Sequence, residues 1–349
     1  MSTIAAVNKL AEYLIGKDPL RIEHHWQHIY RSAFFRGGNV LMSALAGIDQ
    51  ALWDISGKYY QVPTYKLLGG AVRDRIRVYA HWGIGSRDEK SLEQAKIRLE
   101  WLQKSGYTAF KSGPSGKWRA HEPPAVVDDF VACANLMREW VGDEIELGFD
   151  FHGKMTPALA IEICHQLQPM RPVFVEEPVP QENVDALKQV SDHVIVPVAT
   201  GERLLSRWEF RKVFETQAVA YIQPDVSHAG GISEVKKIAN MAEIYYVHIM
   251  PHCAIGPVAF SACLQVDAVV PNFLLQEQID TGLGNDKVEN GYIELPTGDG
   301  LGFEVDEKLI RQDDRITQDK MNLLGYGLIS SNEELGGEFY HLDGSVADW

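Results

Sequence analysis

The chain has 349 residues, 45% hydrophobic and 23% charged, a composition that is typical of globular proteins and excludes disordered, collagen-like and coiled-coil chains. Acidic residues outnumber basic ones by 48 to 33, and this net charge of −15 argues against a protein that binds the nucleic-acid backbone. No apolar run approaches the roughly 18–20 residues that span a bilayer. The N terminus lacks a signal-peptide pattern, and the four cysteines form no CxxC pair. We therefore expect a soluble, cytoplasmic protein with a small-molecule substrate.

The first 72 residues are predicted to be helical. Apolar side chains recur every three or four residues from Leu41 to Ile55, which is the spacing of one buried helix face. Two shorter helical stretches precede this segment, at residues 7–16 and 21–31. We expect residues 1–72 to form a support or a lid for a larger domain.

A different pattern begins near Arg75, where short β-rich runs alternate with longer amphipathic stretches. The eight runs are residues 76–82, 107–111, 145–150, 173–176, 194–200, 218–224, 247–250 and 273–275. They predict an α/β protein with a (β/α)₈ TIM-type barrel over residues 73–280, and residues 281–349 are expected to pack on the barrel and the N-terminal helices. The alternative is an open doubly wound sheet, but residues 83–86 match its glycine-rich phosphate turn poorly.

Seven of these runs are followed or ended by a polar residue: Lys111, Asp150, Glu176, Glu202, Asp225, His252 and Glu277. In a TIM barrel the active site lies at the C-terminal ends of the strands. Apolar strands need no ionisable residue at their ends, so seven in register predict a catalytic site at one mouth of the barrel.

Three of the seven are carboxylates on consecutive strands, Asp150, Glu176 and Glu202. Carboxylates that converge repel one another unless a cation lies between them. An all-oxygen set favours Mg²⁺, with Mn²⁺ as an alternative, over zinc. Solvated acids at loop starts are the simpler alternative. Glu177 follows Glu176 directly, and because neighbouring strand residues face opposite ways, only one can face the metal while the other needs a basic partner.

The remaining polar residues suggest acid–base chemistry. His252 lies on the strand next to Asp225, and an aspartate can orient an imidazole and raise its basicity, as in a general base. Lys111 could neutralise a substrate carboxylate, although it could also be a surface lysine. His152 shares a face with Asp150 if the extended chain continues past it, and could be a ligand, a general acid or a packed histidine.

This set of groups is suited to a substrate that carries a carboxylate. A divalent cation and Lys111 could bind that carboxylate while His252 removes a proton from the adjacent carbon, and the charge would move onto the carboxylate as an enediolate. A second proton donor could then expel a β-hydroxyl as water, and His152 is placed for that role.

Sequence motifs across nearly the whole chain resemble the enolase superfamily, in its mandelate racemase-like branch, and most closely the galactonate-type sugar-acid dehydratases. The matching blocks are Phe35-Arg36-Gly37-Gly38, residues 46–54, Asp150-Phe151-His152-Gly153, Val175-Glu176-Glu177-Pro178, Thr200-Gly201-Glu202-Arg203, residues 223–231, Pro251-His252-Cys253, residues 275–278 and residues 344–349. The resemblance implies that residues 1–72 are the helical part of a capping domain. It also implies an oligomer, for which an octamer is one possibility.

The same resemblance implies a role for each site residue. Asp150, Glu176 and Glu202 would bind Mg²⁺, which favours Glu176 over Glu177 as the ligand. His252 would be the base with Asp225 as its partner, His152 the acid that protonates the departing hydroxyl, and Glu277 a group that stabilises the enediolate. The expected reaction is Mg²⁺-dependent dehydration of an aldonate, galactonate-like first and gluconate or arabinonate next, to a 2-keto-3-deoxy sugar acid.

Three departures from the family pattern keep two alternatives open. The chain is expected to lack the β-meander of the capping domain, and residues 281–290 are expected to be shorter than in the family. After the second strand the sequence is Lys111-Ser112-Gly113, where racemases carry Lys-x-Lys and galactonate dehydratases Lys-x-Asn. The alternatives are a racemase or epimerase of the same superfamily and a truncated, catalytically impaired relative.

Overall fold

The N-terminal segment of the structure, a computed structural model, is helical as predicted. The structure describes residues 2–253, 256–278 and 287–304. Four helices precede the first strand: α1 (Ser2–Leu14), α2 (Ile22–Ser32), α3 (Asn39–Tyr60) and α4 (Thr64–Leu67). Helices α1, α2 and α3 enclose a small apolar core around Trp26, Ile29, Met42 and Leu45, which is separate from the main core. No helix in the described part of the chain is long and apolar enough to cross a membrane.

Eight parallel strands form the central sheet, in the order β7-β6-β5-β4-β3-β2-β1-β8. A parallel bridge between Ile249 and Phe273 connects β7 to the segment before β8, so that the sheet closes into a barrel. The strands are β1 (Arg75–His81), β2 (Ala109–Ser112), β3 (Glu146–Asp150), β4 (Phe174–Glu176), β5 (Val198–Thr200), β6 (Tyr221–Ile222), β7 (His248–Ile249) and β8 (Gln276–Gln278). The predicted TIM-type barrel is confirmed, and the open sheet is excluded.

Helices follow the strands and cover the outside of the barrel. They are α5 (Glu89–Lys104), α6 (Pro124–Val141), α7 (Pro157–Leu167), α8 (Val184–His193), α9 (Arg207–Thr216), α10 (Ile232–Ile244) and α11 (Pro257–Asp267). Their apolar faces and the outward faces of the strands form the main hydrophobic core. This is the layer arrangement expected of a (β/α)₈ barrel.

The structure corrects the predicted position of the last barrel strand. Other predictions for the C-terminal part of the chain concern residues that the structure does not describe. The eighth strand is residues 276–278, not 273–275, because Phe273 pairs with β7 while the following residues reach β1. A further strand, β9 (Tyr292–Glu294), was not predicted and pairs antiparallel with β1. The predicted packing of residues 305–349, and most of the segment expected to be short, lie outside the described residues.

The inside of the barrel is built in layers along the strands. An apolar layer contains Tyr79, Ala109, Phe174, Ala199, Met250 and Leu275, contributed by six different strands or their flanks. Because side chains alternate, the next inward-facing position lies two residues further along each strand. Two residues after five of the six apolar side chains, the chain has an ionisable residue. These residues are His81, Lys111, Glu176, His252 and Glu277. A polar layer therefore lies directly on an apolar floor at the C-terminal mouth.

Helix α3 is joined to the barrel through a buried carboxylate. Asp49, 1% exposed, accepts hydrogen bonds from the backbone N–H of Ser233 (3.0 Å) and from its Oγ (2.6 Å), at the start of α10. Burial raises the pKa of Asp49 to about 7, despite the two hydrogen bonds from Ser233 that lower it. Folding therefore favours the protonated carboxyl, and the stability that it contributes is present below about pH 4 and is lost as the pH rises through 7.

Replacing Asp49 by Asn is expected to change how stability depends on pH. The difference in unfolding free energy between the unaltered protein and the variant should shrink by up to about 4 kcal/mol from pH 4 to pH 8, since the neutral amide does not titrate. Thermal unfolding over that pH range measures the effect, and Asp128→Asn on the exposed surface of α6 is the control. A constant difference between unaltered protein and variant would contradict the assigned titration.

Candidate active site

Three carboxylates converge at the C-terminal mouth of the barrel, on strands β3, β4 and β5. Asp150 ends β3, Glu176 ends β4 and Glu202 follows β5 by two residues. Each offers an oxygen within 4.8 Å of the oxygens of the other two. Asp150 and Glu176 are fully buried, and Glu202 is 13% exposed. The structure therefore brings the three predicted ligands together.

The electrostatics of this carboxylate cluster fit a divalent cation. Burial, reinforced by the charge of Asp150, raises the pKa of Glu176 well above its usual value, and burial raises that of Glu202 to about 7. Oε1 of Glu176 is buried and accepts no hydrogen bond from the described residues. Buried acceptors of this kind are costly unless something pairs with them. An all-oxygen set with an unused acceptor is suited to a hard cation such as Mg²⁺.

Lys111 lies beside the cluster rather than on the protein surface. It is 4% exposed, and its Nζ is 3.0 Å from Glu176 Oε2, 3.2 Å from Asp150 Oδ2 and 2.7 Å from Glu277 Oε1. Burial opposes its charge, but the carboxylates of Glu176 and Glu277 raise its pKa well above the usual value. Lys111 is therefore a buried cation that partly compensates the acidic cluster.

His252 forms the predicted pair with Asp225 on the other side of the cluster. Its Nδ1 is 2.8 Å from Asp225 Oδ2, and its Nε2 is 3.1 Å from Glu202 Oε2 and 3.7 Å from Glu277 Oε2. Oδ1 of Asp225 accepts the backbone N–H of Ser227 at 2.6 Å, which fixes the carboxylate. Burial opposes protonation of His252, but Glu277 and Asp225 raise its pKa well above the usual value.

Glu277 links the two halves of the polar layer. It is completely buried, its Oε1 contacts Lys111, and its Oε2 accepts the backbone N–H of Cys253 at 2.8 Å. Burial would raise its pKa, but Lys111 and His252 hold the pKa well below the usual value. Glu277 is thus an ionised acceptor in contact with both the lysine and the imidazole.

His152 reaches the cluster by a different route from the one expected. The prediction assumed an extended chain, but β3 ends at Asp150, and His152 adopts a left-handed conformation with φ of 49°. Its backbone N–H donates to Asp150 Oδ1 (2.9 Å), and its Nε2 lies 3.2 Å from Asp150 Oδ2. A tight turn therefore brings the imidazole back to the carboxylate cluster. Burial lowers the pKa of His152, although the charge of Asp150 opposes this.

Glu177 is held away from the carboxylate cluster. Its carboxylate accepts hydrogen bonds from Thr200 Oγ1, from the backbone N–H of Gly201 at 3.1 Å and from Arg203 Nε at 2.9 Å. Arg203 is the basic partner that the sequence required but did not identify. The side chain of Glu176, not that of Glu177, is therefore free to join the cluster.

Steric crowding explains why a glycine occupies position 113. A Cβ built there would lie 2.1 Å from the carbonyl oxygen of Asp150, which is closer than real Cβ contacts allow. The backbone at the end of β3 thus leaves no room for a side chain at position 113. A second base cannot stand at position 113 unless this backbone moves.

His81 belongs to the polar layer but was missed by the sequence analysis. It ends β1, and its Nε2 is 2.5 Å from Glu277 Oε1. The sequence predicts a run that ends at Trp82, one residue beyond the end of β1, and so does not single out His81 as the last inward-facing polar residue. His81 and His152 line the same cavity, with a volume of about 540 Å³, whose wall also includes Lys111, Asp150 and Gly113. The cavity provides room for a small ligand beside the carboxylate cluster.

Both parts of the chain match known families. Residues 2–69 match the model described as the mandelate racemase / muconate lactonizing enzyme N-terminal domain, and residues 93–309 match the enolase C-terminal domain-like model. The chain belongs to the enolase superfamily. The resemblance to its mandelate racemase-like branch, inferred from the motifs, is therefore confirmed.

Relatives and solved structures support the same placement. D-galactonate dehydratase of Ralstonia pickettii (strain 12J) is 41% identical over 360 residues, covering 99% of this chain and 89% of that protein. D-galactonate dehydratase of Variovorax paradoxus (strain S110) is 42% identical over 359 residues, with the same coverage. Among solved structures, the mandelate racemase/muconate lactonizing enzyme-like protein from Roseovarius sp. TM1035 and the mandelate racemase/muconate lactonizing enzyme from Sulfitobacter sp. each have a TM-score of 0.82 and 37% identity. Each match covers 88% of this chain and 82% of the matched chain.

Proposed function

We propose that this enolase-superfamily protein is a hydro-lyase that dehydrates a sugar acid, a galactonate-like aldonate first, to a 2-keto-3-deoxy acid. The observation that carries the proposal is the His252–Asp225 pair, which lies within contact distance of the carboxylate cluster. A base beside a set of cation ligands is what removal of a proton next to a carboxylate requires. The D-galactonate dehydratases at about 41% identity support the choice of a sugar acid.

The residues that would hold a cation are Asp150, Glu176 and Glu202. A Mg²⁺ ion bound there would supply positive charge for the substrate carboxylate and for the negative charge that develops when the α-proton leaves. Lys111 adds a second positive charge at the same place, with its Nζ between Asp150 and Glu176. Lys111 would thus stabilise the enediolate electrostatically.

The acid–base steps would fall to the two histidines. His252, oriented by Asp225, would take the α-proton. The contact between Nε2 of His252 and Glu202 favours the protonated imidazole, and a cation bound to Glu202 would compete with this contact. His152 would donate the proton with which the β-hydroxyl leaves as water, so that an enol remains and then becomes the 2-keto-3-deoxy acid. Glu277, ionised and hydrogen-bonded to Lys111, would hold that lysine toward the developing charge.

The test is product release from a panel of aldonates. The protein with Mg²⁺ is expected to release a 2-keto-3-deoxy acid from galactonate, gluconate or arabinonate, to lose this activity with a chelator and to regain it when Mg²⁺ is restored. In deuterated water a racemase or epimerase would return substrate that is scrambled at the α-carbon, whereas a dehydratase yields the keto acid. No product from any aldonate, with the protein folded, would contradict the proposal and favour the catalytically impaired alternative.

We also propose the organisation within which this activity would operate. Residues 1–72 form the helical part of a capping domain, residues 73–280 the catalytic barrel and residues 281–349 a segment that packs on both. The protein would act as a homo-oligomer in the cytoplasm, without nucleic-acid or membrane partners. The family resemblance supports the oligomer, and the excess of acidic residues argues against a nucleic-acid partner.

A further inference from the structure

His81 is the member of the polar layer to which the proposed reaction assigns no role. It lies on β1, directly opposite Lys111 in the register of β1 and β2. Among the described residues, its polar side-chain contact is with Glu277 and not with the carboxylate cluster. The side chain is 44% exposed and lines the cavity, whereas the other ionisable groups of the layer are buried or nearly so.

The contact with Glu277 fixes which nitrogen of His81 faces outward. Glu277 is ionised, so it accepts a hydrogen bond and Nε2 of His81 must carry the proton. In a neutral imidazole the other nitrogen, Nδ1, is then an acceptor. Nδ1 has no hydrogen-bond partner among the described residues, and the side chain that carries it is 44% exposed and lines the cavity. It is therefore an accessible acceptor on the cavity wall.

The position of Nδ1 of His81 relative to the carboxylate cluster indicates which part of a bound ligand it would contact. The carboxylate cluster occupies β3, β4 and the end of β5, and His252 follows β7. From the side of β1 the cavity extends along Gly83 and Gly85 toward Ser91 and Gln94 on α5. A ligand whose carboxylate lies at the cluster would place the remainder of its chain in that direction. An acceptor there can be satisfied only by a donor, and the donors that a sugar acid carries are its hydroxyl groups.

We propose that His81 is a substrate-contact residue whose Nδ1 accepts a hydrogen bond from a hydroxyl of the sugar acid beyond the two reacting carbons. This assignment rests on the proposed function and deepens it, because it gives the site a means of selecting polyhydroxy acids over shorter acids. A site that is built to pair with a hydroxyl discriminates against ligands that lack it, since its polar atom is then left unpaired.

Two substitutions distinguish contact of His81 with the substrate from its hydrogen bond to Glu277. The amide nitrogen of Gln can replace Nε2 of His, so His81→Gln retains a donor to Glu277 and loses the acceptor in the cavity. Asn places its amide near the position of Nδ1, so His81→Asn retains a polar group in the cavity and loses the contact with Glu277. His165→Gln, on the exposed surface of α7, is the matched control.

The measurements are kcat and KM for the best aldonate of the panel and the inhibition constant of glycerate, which has the carboxylate, α-proton and β-hydroxyl but no further chain. For His81→Gln we expect kcat/KM for the aldonate to fall about five- to tenfold, mainly through KM, since one neutral hydrogen bond is lost. The inhibition constant of glycerate should stay unchanged. His81→Asn should keep KM closer to that of the unaltered protein.

Any other outcome would contradict the assignment of His81 as a substrate-contact residue. If His81→Gln leaves both constants unchanged, His81 does not contact the substrate. If it weakens aldonate and glycerate equally, or lowers kcat alone, it acts through Glu277 and the reacting end. An unaltered protein that turns over no aldonate would overturn the proposed function and this assignment together, a result distinct from the first two.

Discussion

Replacing His252 by Asn is expected to reduce turnover severely and to leave Mg²⁺ binding largely intact. The imidazole is the group that the structure holds against both Asp225 and Glu202, and loss of a general base lowers kcat by roughly 10²- to 10⁴-fold. The three carboxylates keep their positions on β3, β4 and β5, because none of them is on the element that carries His252. Turnover by product release and Mg²⁺ affinity by calorimetry measure the two effects separately.

The control for this prediction lies on β7, the strand that precedes His252. His248 begins β7 at the opposite end from the site and is exposed, so His248→Asn should match the unaltered protein in both measurements. Retained turnover in His252→Asn would show that another group removes the α-proton. Loss of Mg²⁺ binding in the same variant would show that the imidazole supports the carboxylate cluster itself.

Replacing Glu202 by Gln is expected to weaken Mg²⁺ binding by about 100-fold or more. Substitution of a residue that only supports a metal ligand already lowers metal affinity by roughly 10- to 100-fold, and Glu202 is itself a proposed ligand. The substitution keeps the size of the side chain and removes one negative charge from the cluster. It also removes the carboxylate from Nε2 of His252, 3.1 Å away. Turnover should therefore fall at low Mg²⁺ and recover in part when Mg²⁺ is raised.

Calorimetric titration with Mg²⁺ is the measurement for Glu202→Gln. Glu215→Gln on the surface of α9, where the side chain is 51% exposed and paired with Arg211, is the control for loss of one acidic charge. Unchanged affinity in Glu202→Gln would mean that Glu202 is not a ligand and that the cluster must be reassigned.

The sequence predicted the barrel because short β-rich runs alternate along the chain with stretches that have helical periodicity. Seven polar residues at the ends of the predicted strands were also found from sequence. The structure gathers them at one mouth in a continuous set of contacts, in which His252 and Glu277 join the two halves. The reason is that parallel strands of a barrel all end on the same side. A residue at the end of one strand is therefore near the ends of the others.

The errors arose where a local pattern was too short to fix a boundary. Strand β8 begins three residues later than predicted, because the apolar run around Phe273 packs beside β7 before the chain reaches β1. His81 was overlooked because the first run was extended by one residue, to Trp82. Inward and outward positions alternate, so an error of one residue reverses which side chain faces the barrel.

The alternation of strand and helix patterns and the types of the polar residues, which the sequence alone determined, decided the fold class and most of the groups at the mouth. The tertiary structure decided how those groups meet. The left-handed turn at His152, the choice of Glu176 over Glu177 by Arg203, and the approach of the Asp150 carbonyl to Gly113 each depend on atoms from different strands or on a turn. Sequence periodicity records the direction of a side chain along its own strand, whereas these contacts depend on distances between strands, which only the closed barrel sets.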